Sequence, residues 1–278
     1  MHDAIMKRGQ SSAGHCVFLV FLASLLVSCA SAPVTERRGL HLVPDSELTA
    51  LSFQEYSKVL KNSTLSTDAA KVGMVRRVGQ RIAAASEELL EESGRGDDVK
   101  NYKWEFNLIE DDKTVNAWCM PGGKVAVYTG LLPIAQDENG LAVVMGHEVA
   151  HAIAKHGNER MSQGLLAQFG AIGLSLALAG NPGVTSDIFM QAYGVGAQVG
   201  FLLPYSRIHE SEADRIGLVL MAKAGYDPRG AISLWQRMSA KGGARPPEFL
   251  STHPAPQSRI ENIQSLIPEA MQYYKPRR

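Results

Sequence analysis

The feature that most constrains the fold of this chain is the stretch His147-Glu148-Val149-Ala150-His151, which lies in a segment with helical character. Residues four positions apart lie on one face of a helix, about one turn apart. The two imidazoles can therefore bind one metal ion, and Zn²⁺ is the usual ion for this spacing. Glu148 follows the first histidine and can reach a water molecule at the metal as a general base. The rest of the chain must then supply a third ligand.

A second segment, residues 206–217, contains carboxylates that can complete such a site. Glu210 and Asp214 share one helix face. Glu210 can bind the metal, while Asp214 can accept the other ring N–H of a ligand histidine and fix its tautomer. Glu212 points elsewhere and is predicted to be solvated, and His156 is predicted to be a surface residue at a helix end. The alternative for Glu210, a carboxylate on an exposed helix, is disfavoured because the two motifs occur together.

Composition excludes some classes of function. The 278 residues include 28 Lys+Arg and 28 Asp+Glu, so the formal net charge is zero, and 45% of the residues are hydrophobic. These values are typical of a globular protein with a sizeable core. Because no basic stripe is present, we predict no nucleic-acid partner.

The N-terminus has the pattern of a lipoprotein leader. Lys7 and Arg8 precede an apolar run over residues 16–27, which is too short for a comfortable membrane span. The run ends in Leu-Val-Ser-Cys at Cys29, which is similar to a bacterial lipobox. We therefore predict that Cys29 is lipidated and becomes the first residue of the mature protein. An uncleaved anchor with a chance cysteine is the alternative.

Composition then divides the chain into three parts. We predict a signal peptide over residues 1–28, a flexible tether over 29–45 and a single domain over 46–278. Acyl chains contribute about 0.8 kcal/mol per buried CH₂, so the lipid would hold the protein firmly at a membrane. Ala30 is not the aspartate that in enterobacteria favours inner-membrane retention. By that resemblance, we expect the outer membrane, with the domain facing the periplasm.

Periodicity predicts helices and a small sheet within the domain. Residues 68–85 carry apolar side chains at helical spacing, and residues 102–109 alternate as a strand does. Lys124, Val125 and Ala126 belong to a further strand after a Pro-Gly-Gly turn. An edge strand beside a metal site can pair with an extended peptide through main-chain hydrogen bonds. An ordinary hairpin is the alternative.

Two further features call for an interpretation. Residues 164–203 are apolar and rich in small residues, and we predict a helical hairpin that packs on the domain or contacts a membrane or partner. Two membrane spans are the alternative, disfavoured by the short runs and the glutamines. Cys119 is the only cysteine left free once the leader is removed and Cys29 is acylated. It could form an intermolecular disulfide in an oxidising compartment.

Taken together, the motifs resemble those of the HtpX-like zinc metallopeptidases. This gluzincin family includes the CAAX prenyl endopeptidases and the periplasmic proteases BepA and LoiP. The resemblance covers roughly residues 50–270, the mature domain. Its motifs, in order, are Asn116-Ala-x-x-x-Pro-Gly-Gly123, His147-Glu-x-x-His151, Ser206-Arg-x-x-Glu-x-x-Ala-Asp-x-x-Gly217, and Thr252-His253-Pro254 with Arg259-Ile260. The family implies a mostly helical α+β gluzincin metalloprotease domain, with a small β-sheet edge beside the His-Glu-x-x-His helix.

The resemblance also implies roles for individual residues. The ligands of one Zn²⁺ would be His147, His151 and Glu210, and the base would be Glu148. Asp214 would support a ligand histidine, and Arg207 and Arg259 would be structural or would orient substrate. His253 matches a histidine that can swing onto the zinc in BepA-like proteins; an ordinary loop histidine near the cleft is the alternative.

Family and address together suggest a biological role. The lipobox and the absence of tetratricopeptide repeats favour the LoiP type over the BepA type. The expected substrates are misfolded or unassembled envelope proteins, and the expected partners are outer-membrane proteins or a separate repeat-containing protein. A chaperone or assembly factor for outer-membrane proteins, with its zinc site latched shut by His253, is the rival interpretation.

Overall fold

The structure is a computed structural model of the chain. The residues that it describes are 29–166, 182–193, 206–241, 248–253 and 257–276. The predicted signal peptide lies outside these residues, as does most of the apolar segment 164–203. Among the residues described, no helix combines the length and the apolar character needed to cross a bilayer.

The predicted flexible tether is folded against the domain. Strand β1 (Cys29–Ser31) pairs antiparallel with strand β2 (Arg38–Leu40). Ala32 in the intervening loop and Val43 after the hairpin are buried. The low hydrophobicity of this stretch suggested a linker, but a short hairpin needs few apolar anchors when its polar side chains bind the domain. The prediction of a flexible tether over residues 29–45 was therefore wrong.

Two long helices follow the hairpin. Helix α1 spans Asp45–Asn62 and helix α2 spans Ala69–Glu92. The Asp68 side chain caps α2 by accepting hydrogen bonds from Ala70 N and Lys71 N, as expected for an aspartate at this position. The predicted apolar face of α2 is buried in the main core, and a short helix α3 (Gly96–Val99) follows.

The sheet has three strands, and its order differs from the prediction. Strands β3 (Glu105–Ile109), β4 (Ala117–Met120) and β5 (Lys124–Tyr128) are arranged β3-β5-β4, with β3 parallel and β4 antiparallel to β5. Strand β5 is therefore central, with a neighbour on each side. The predicted edge strand at Lys124, Val125 and Ala126 was wrong, and the edge that packs against the metal-motif helix is β4.

The remainder of the described chain is helical. A 3₁₀ turn at Thr129–Leu131 leads into these helices, and a second at Met271–Tyr273 follows the last. In order the helices are α4 (Leu132–Ala135), α5 (Glu138–Ile153), α6 (156–166), α7 (Pro182–Ala192), α8 (Arg207–Lys223), α9 (Gly230–Ala240), α10 (Glu248–Thr252) and α11 (Gln257–Ala270). The expectation of a mostly helical α+β domain with a small sheet is confirmed.

Helices α5 and α8 carry the two motifs and pack closely together. A Cβ built on Gly146 of α5 would lie 2.9 Å from the carbonyl oxygen of Gly217 in α8, and a Cβ on Gly217 would lie 3.0 Å from the nitrogen of His147. Glycine at both positions allows this backbone approach. The contact brings the two motifs face to face.

Candidate metal centre

Helices α5 and α8, which carry the two motifs, each begin at a side-chain cap. The Asp137 side chain accepts a hydrogen bond from Gly140 N at the start of α5, and Ser206 accepts one from His209 N at the start of α8. The motif residues on both helices are buried although they are polar. Buried polar groups require partners, so each of these side chains must find one nearby.

Four side chains bring their nitrogen or oxygen atoms together between the helices. Nε2 of His147 lies 3.0 Å from Nε2 of His151 and 3.2 Å from Nδ1 of His253. Oε1 of Glu210 lies 2.9 Å from that Nδ1 and 3.3 Å from Nε2 of His151. All four side chains are buried. The three predicted ligands therefore meet at one point, and His253 joins them.

The separation of these atoms fits a tetrahedral zinc site. With Zn–N and Zn–O bonds of about 2.0–2.2 Å, neighbouring donors in a tetrahedron lie about 3.3 Å apart. The four distances given above are 2.9–3.3 Å, close to that value, and all four donor atoms lie within 4.8 Å of one another. Histidine and carboxylate donors are also the ligands that zinc prefers. The residues present thus fit a zinc ion.

His147 is held by a carboxylate from α8, as predicted from the spacing of Glu210 and Asp214. Its Nδ1 lies 3.0 Å from Oδ1 of Asp214. Donation of the Nδ1–H to this carboxylate leaves the Nε2 lone pair directed at the cluster. Asp214 thus lies where a residue that fixes the ligand tautomer is needed.

Arg259 balances the negative charge of the Asp214 and Glu210 carboxylates. Its guanidinium donates to both oxygens of Asp214 at 2.8 Å, and its Nη1 lies 2.6 Å from Oε2 of Glu210. The group also lies over the ring of Trp235, 3.7 Å from the centroid, in a cation–π contact. Arg259 is therefore a buried structural partner of the ligand carboxylates. Arg207, in contrast, is exposed at the first position of α8 and lies outside the cluster.

His151 is held differently, through residues that the sequence did not reveal. Its Nδ1 lies 2.8 Å from Nδ1 of His156, whose Nε2 lies 2.8 Å from Oε2 of Glu212. With the His156 proton on Nε2, its Nδ1 accepts the Nδ1–H of His151, and the Nε2 lone pair of His151 is then directed at the cluster. His156 and Glu212 are buried, so their predicted surface positions were wrong.

The backbone explains why the predicted surface position of His156 was wrong. Helix α5 ends at Ile153, and Lys155 adopts a left-handed conformation with φ of 60° before the chain becomes helical again at residue 156. In an unbroken helix, a residue five positions beyond His151 is rotated off its face. The break turns His156 back towards His151. In the sequence, the only signal of this contact was a further histidine, His156, shortly after the motif.

Glu148 lies beside the cluster and keeps an open acceptor. Its side chain is 4% exposed, and its Oε1 has no hydrogen-bond partner among the residues described. Nε2 of His253 lies 3.5 Å from that atom. Burial raises the pKa of Glu148 above its ordinary value. The raised pKa makes this carboxylate a better proton acceptor.

The electrostatics of the ligands favour a bound cation. Burial opposes the charged form of Glu210, but the neighbouring His253 and Arg259 outweigh it and hold the pKa of Glu210 well below its ordinary value. Burial likewise opposes protonation of His147, yet its contacts with Asp214 and Glu210 raise its pKa to about 9. A metal must displace this proton, so metal binding releases protons.

His253 comes from α10 and its C-terminal turn. The His253 backbone N–H donates to the carbonyl oxygen of Phe249, and the ring stacks on Phe249 with centroids 4.6 Å apart. These contacts direct Nδ1 into the cluster and Nε2 towards Glu148. The structure thus brings His253 into the same buried cluster as the three predicted ligands.

The predicted substrate strand contributes to the core and not to the centre. Val125 and Ala126 are buried in the middle of the sheet, and the carbonyl of Val125 accepts from the Tyr56 hydroxyl at 3.0 Å. Lys124 lies 3.2 Å from Glu105 and over the ring of Phe53. These contacts are those of a structural strand.

The cysteine predictions have different outcomes. Cys119 lies in β4, is 4% exposed, and has its pKa raised by burial. A buried, protonated thiol is a poor partner for an intermolecular disulfide, so the structure argues against that hypothesis. Cys29 begins β1, and its lipidation stays a prediction.

Comparison with known proteins gives a consistent result. The model of a family described as "Peptidase family M48" matches residues 76–267. The chain is 39% identical over 198 residues to the mitochondrial metalloendopeptidase OMA1 of Schizosaccharomyces pombe, an alignment of 70% of this chain and 53% of that protein. It is 32% identical over 272 residues to the human metalloendopeptidase OMA1, covering 95% of this chain and 50% of that protein.

A bacterial relative is similar at a comparable level. The beta-barrel assembly-enhancing protease of Escherichia coli is 31% identical over 173 residues, which cover 58% of this chain and 34% of that protein. The chain spans about half the length of the OMA1 proteins it matches and a smaller share of the bacterial protein.

Proposed function

The chain belongs to peptidase family M48, and we propose that it is a zinc metalloendopeptidase. The observation that carries the proposal is the convergence of His147, His151 and Glu210 at zinc-compatible separations, with Glu148 beside them. Family membership supports the same conclusion. The resemblance found in the sequence therefore holds at the level of the peptidase family.

Each residue of the centre then has a chemical role. His147, His151 and Glu210 would hold Zn²⁺, which when bound polarises a carbonyl and lowers the pKa of water. Oε1 of Glu148 would accept a proton from the attacking water and deliver it to the leaving amine. Because burial raises the pKa of Glu148, its carboxylate is suited to both transfers. Asp214 and Arg259 would keep the ligands in place.

Strand β4, whose four residues are buried, is the edge strand that lies next to the candidate centre. It lies at an edge of the sheet and packs against α5, which carries His147, Glu148 and His151. An extended peptide can add to such an edge through main-chain hydrogen bonds, which depend little on side-chain identity. We therefore infer that the substrates are unfolded polypeptides that can adopt a strand.

The lipoprotein signal in the sequence suggests where these substrates occur. The lipobox at Cys29 supports an anchor at the outer membrane with the domain in the periplasm. The bacterial relative is named a beta-barrel assembly-enhancing protease. We propose that this chain, like the LoiP type, removes misfolded or unassembled envelope proteins. Outer-membrane proteins or a repeat-containing protein would be its partners.

The position of His253 favours a second candidate function. With His253 as a fourth donor, water and substrate would be kept from the metal, and the chain would be an assembly factor or chaperone with a closed site. We propose that this closed arrangement is a latched state of the protease. Movement of His253 out of the cluster would then open the site.

The proposed activity is tested by Glu148→Gln. The purified protein with zinc should cleave unfolded casein, and the variant should lose about 10²- to 10⁴-fold in rate because its general base is gone. The zinc content and thermal unfolding of the variant should match the wild type. Treatment with a chelator should abolish cleavage, and added zinc should restore it. Equal cleavage by wild type and Glu148→Gln would refute the proposal. Lack of cleavage by both the wild type and His253→Ala would refute it as well.

The latch is tested by His253→Ala, with Ser251→Ala, at an exposed position of the preceding helix α10, as a control. Removal of the fourth donor should raise the basal rate of casein cleavage several-fold, and the control should not change it. A rate for His253→Ala that is equal to or lower than the wild-type rate would contradict latching.

A further inference from the structure

The N-terminal hairpin reaches the candidate metal centre through a continuous chain of contacts. We propose that the loop between β1 and β2 is a positioning element for the zinc ligand His151, acting through Glu212 and His156. This inference rests on the proposed function, because it takes His151 to be a metal ligand. It assigns a role to residues that lie outside the motifs of the family resemblance.

The first part of the chain of contacts lies next to the ligand. His151, His156 and Glu212 are joined by two contacts of 2.8 Å, from ring nitrogen to ring nitrogen and then to a carboxylate oxygen. Each of the three side chains is at most 5% exposed. In this geometry the carboxylate sets the tautomer of His156, which in turn sets the tautomer and the ring orientation of His151.

The second part comes from the hairpin loop. The Thr35 hydroxyl donates to Oε1 of Glu212, and Nε of Arg37 donates to Oε2 at 2.6 Å. The same Oε2 accepts from His156. Glu212 is thus the junction between the loop and the histidine pair. A buried carboxylate is costly unless its oxygens are hydrogen-bonded and its charge is paired, and the loop supplies both.

A further contact fixes Arg37 and the ring of His156. Nη2 of Arg37 lies 2.9 Å from Oε2 of Glu159, and the same oxygen is 3.1 Å from Nε2 of His209. The ring of His209 stacks on that of His156 with centroids 4.5 Å apart and an angle of 22° between the planes. Arg37 therefore bridges two carboxylates, and each of them contacts one of the two stacked histidines.

The loop has a defined shape that presents these side chains. The backbone N–H of Ala32 donates to the carbonyl of Arg37, and the N–H of Glu36 donates to the carbonyl of Ala32. Val34 and Glu36 are in the left-handed region, with φ of 67° and 55°. A β-branched residue rarely adopts this conformation, and it persists only where the surroundings determine it. The side chains between and after these residues, Thr35 and Arg37, meet Glu212.

The experiment measures metal affinity directly, so that it does not depend on cleavage. Full-length purified protein is stripped of metal, and its zinc dissociation constant is measured by competition with a chelator. The absorption spectrum of the Co²⁺-loaded protein reports ligand geometry. Thermal unfolding of the metal-free protein is recorded for each variant as the measure of folding.

The variants test each step of the chain. Loss of a partner of a metal-binding histidine weakens metal binding by about 10- to 100-fold, and we expect this for His156→Leu. His156→Gln keeps an oxygen that can accept from His151 and should recover part of the loss. Arg37→Met should weaken zinc binding by roughly 3- to 10-fold, because it acts one step further away. Arg37→Lys, which keeps the charge, should fall between Arg37→Met and the wild type.

The adjacent Arg38 provides the matched control. It is exposed on the same hairpin, so Arg38→Met should leave the zinc dissociation constant and the Co²⁺ spectrum unchanged. Equal dissociation constants for Arg37→Met and Arg38→Met would overturn the proposal. So would His156→Leu protein that is less stable without metal yet binds zinc as tightly as the wild type, since that result describes a purely structural role. Absence of cleavage with the expected zinc affinities would count against the protease and leave the positioning role supported.

Discussion

The two predicted ligand histidines of helix α5 are held in different ways. His147 contacts a carboxylate directly, and both Asp214 and its counter-ion Arg259 come from the C-terminal half of the chain. His151 contacts a second histidine, and the carboxylate and counter-ion behind it, Glu212 and Arg37, come from opposite halves of the chain. Two histidines with the same predicted role can therefore be held by a carboxylate directly or through a second histidine.

This difference has consequences for stability and for metal binding. The side of His147 is compact, because one guanidinium neutralises both Asp214 and Glu210. The side of His151 depends on docking of the N-terminal hairpin, which buries few apolar side chains. We expect changes near His147 to affect the whole fold and changes near His151 to affect mainly the geometry of the centre.

The largest effect is expected for Arg259→Met. Removal of the guanidinium leaves Asp214 and Glu210 as buried carboxylates without their counter-ion, and the loss of one partner of a buried pair costs about 3–5 kcal/mol. The free energy of unfolding of the metal-free protein, measured in urea, should fall by this amount. The exposed Arg207→Met is the control and should change it little. A similar small change in both variants would show that the side of His147 does not depend on this pairing.

A smaller effect is expected for Asp214→Asn, which tests the direct support of His147. The amide keeps the shape of the carboxylate but loses its charge and one acceptor oxygen. The zinc dissociation constant should rise by about 10- to 100-fold. The rise should exceed that of Arg37→Met, since Asp214 touches the ligand and Arg37 does not. Glu261→Gln, at an exposed position on α11, serves as the control. The comparison between the two sides fails if Arg37→Met has the larger effect.

The smallest effect concerns acid and the docking of the hairpin. Burial would raise the pKa of Glu159, but hydrogen bonds from His209 and Arg37 outweigh it and lower the pKa to about 2, below an ordinary value of 4.5. A carboxylate with a depressed folded-state pKa stabilises the fold above its unfolded pKa, and this contribution is lost as the pH falls towards the folded value.

Metal-free protein should therefore lose stability between pH 4.5 and pH 2 through this group. Between pH 7 and pH 3, the free energy of unfolding should fall by about 1 kcal/mol more in the wild type than in Glu159→Gln, with allowance for solvent screening. Urea unfolding at the two pH values measures the difference. Identical losses in the two proteins would show that the Arg37–Glu159 contact does not stabilise the fold.

Much of the fold was predictable because its signals are local. The apolar period predicted helix α2, and the alternation of residues predicted the strands that became β3 and β5. The order of the strands was not predictable from these patterns. Alternation identifies a strand but does not say which strands become its neighbours, so β5 was expected at an edge and lies in the centre.

The sequence by itself determined the chemistry of the centre. The spacing of His147 and His151, and that of Glu210 and Asp214, places each pair on one helix face whatever the rest of the chain does, because the helical period is fixed. Only the tertiary structure decided that His253 joins the ligands and that His156, Glu212 and Arg37 support His151. The contact of His156 with His151 depends on a backbone turn at Lys155. The others depend on contacts between segments far apart in the chain, for which no local period exists.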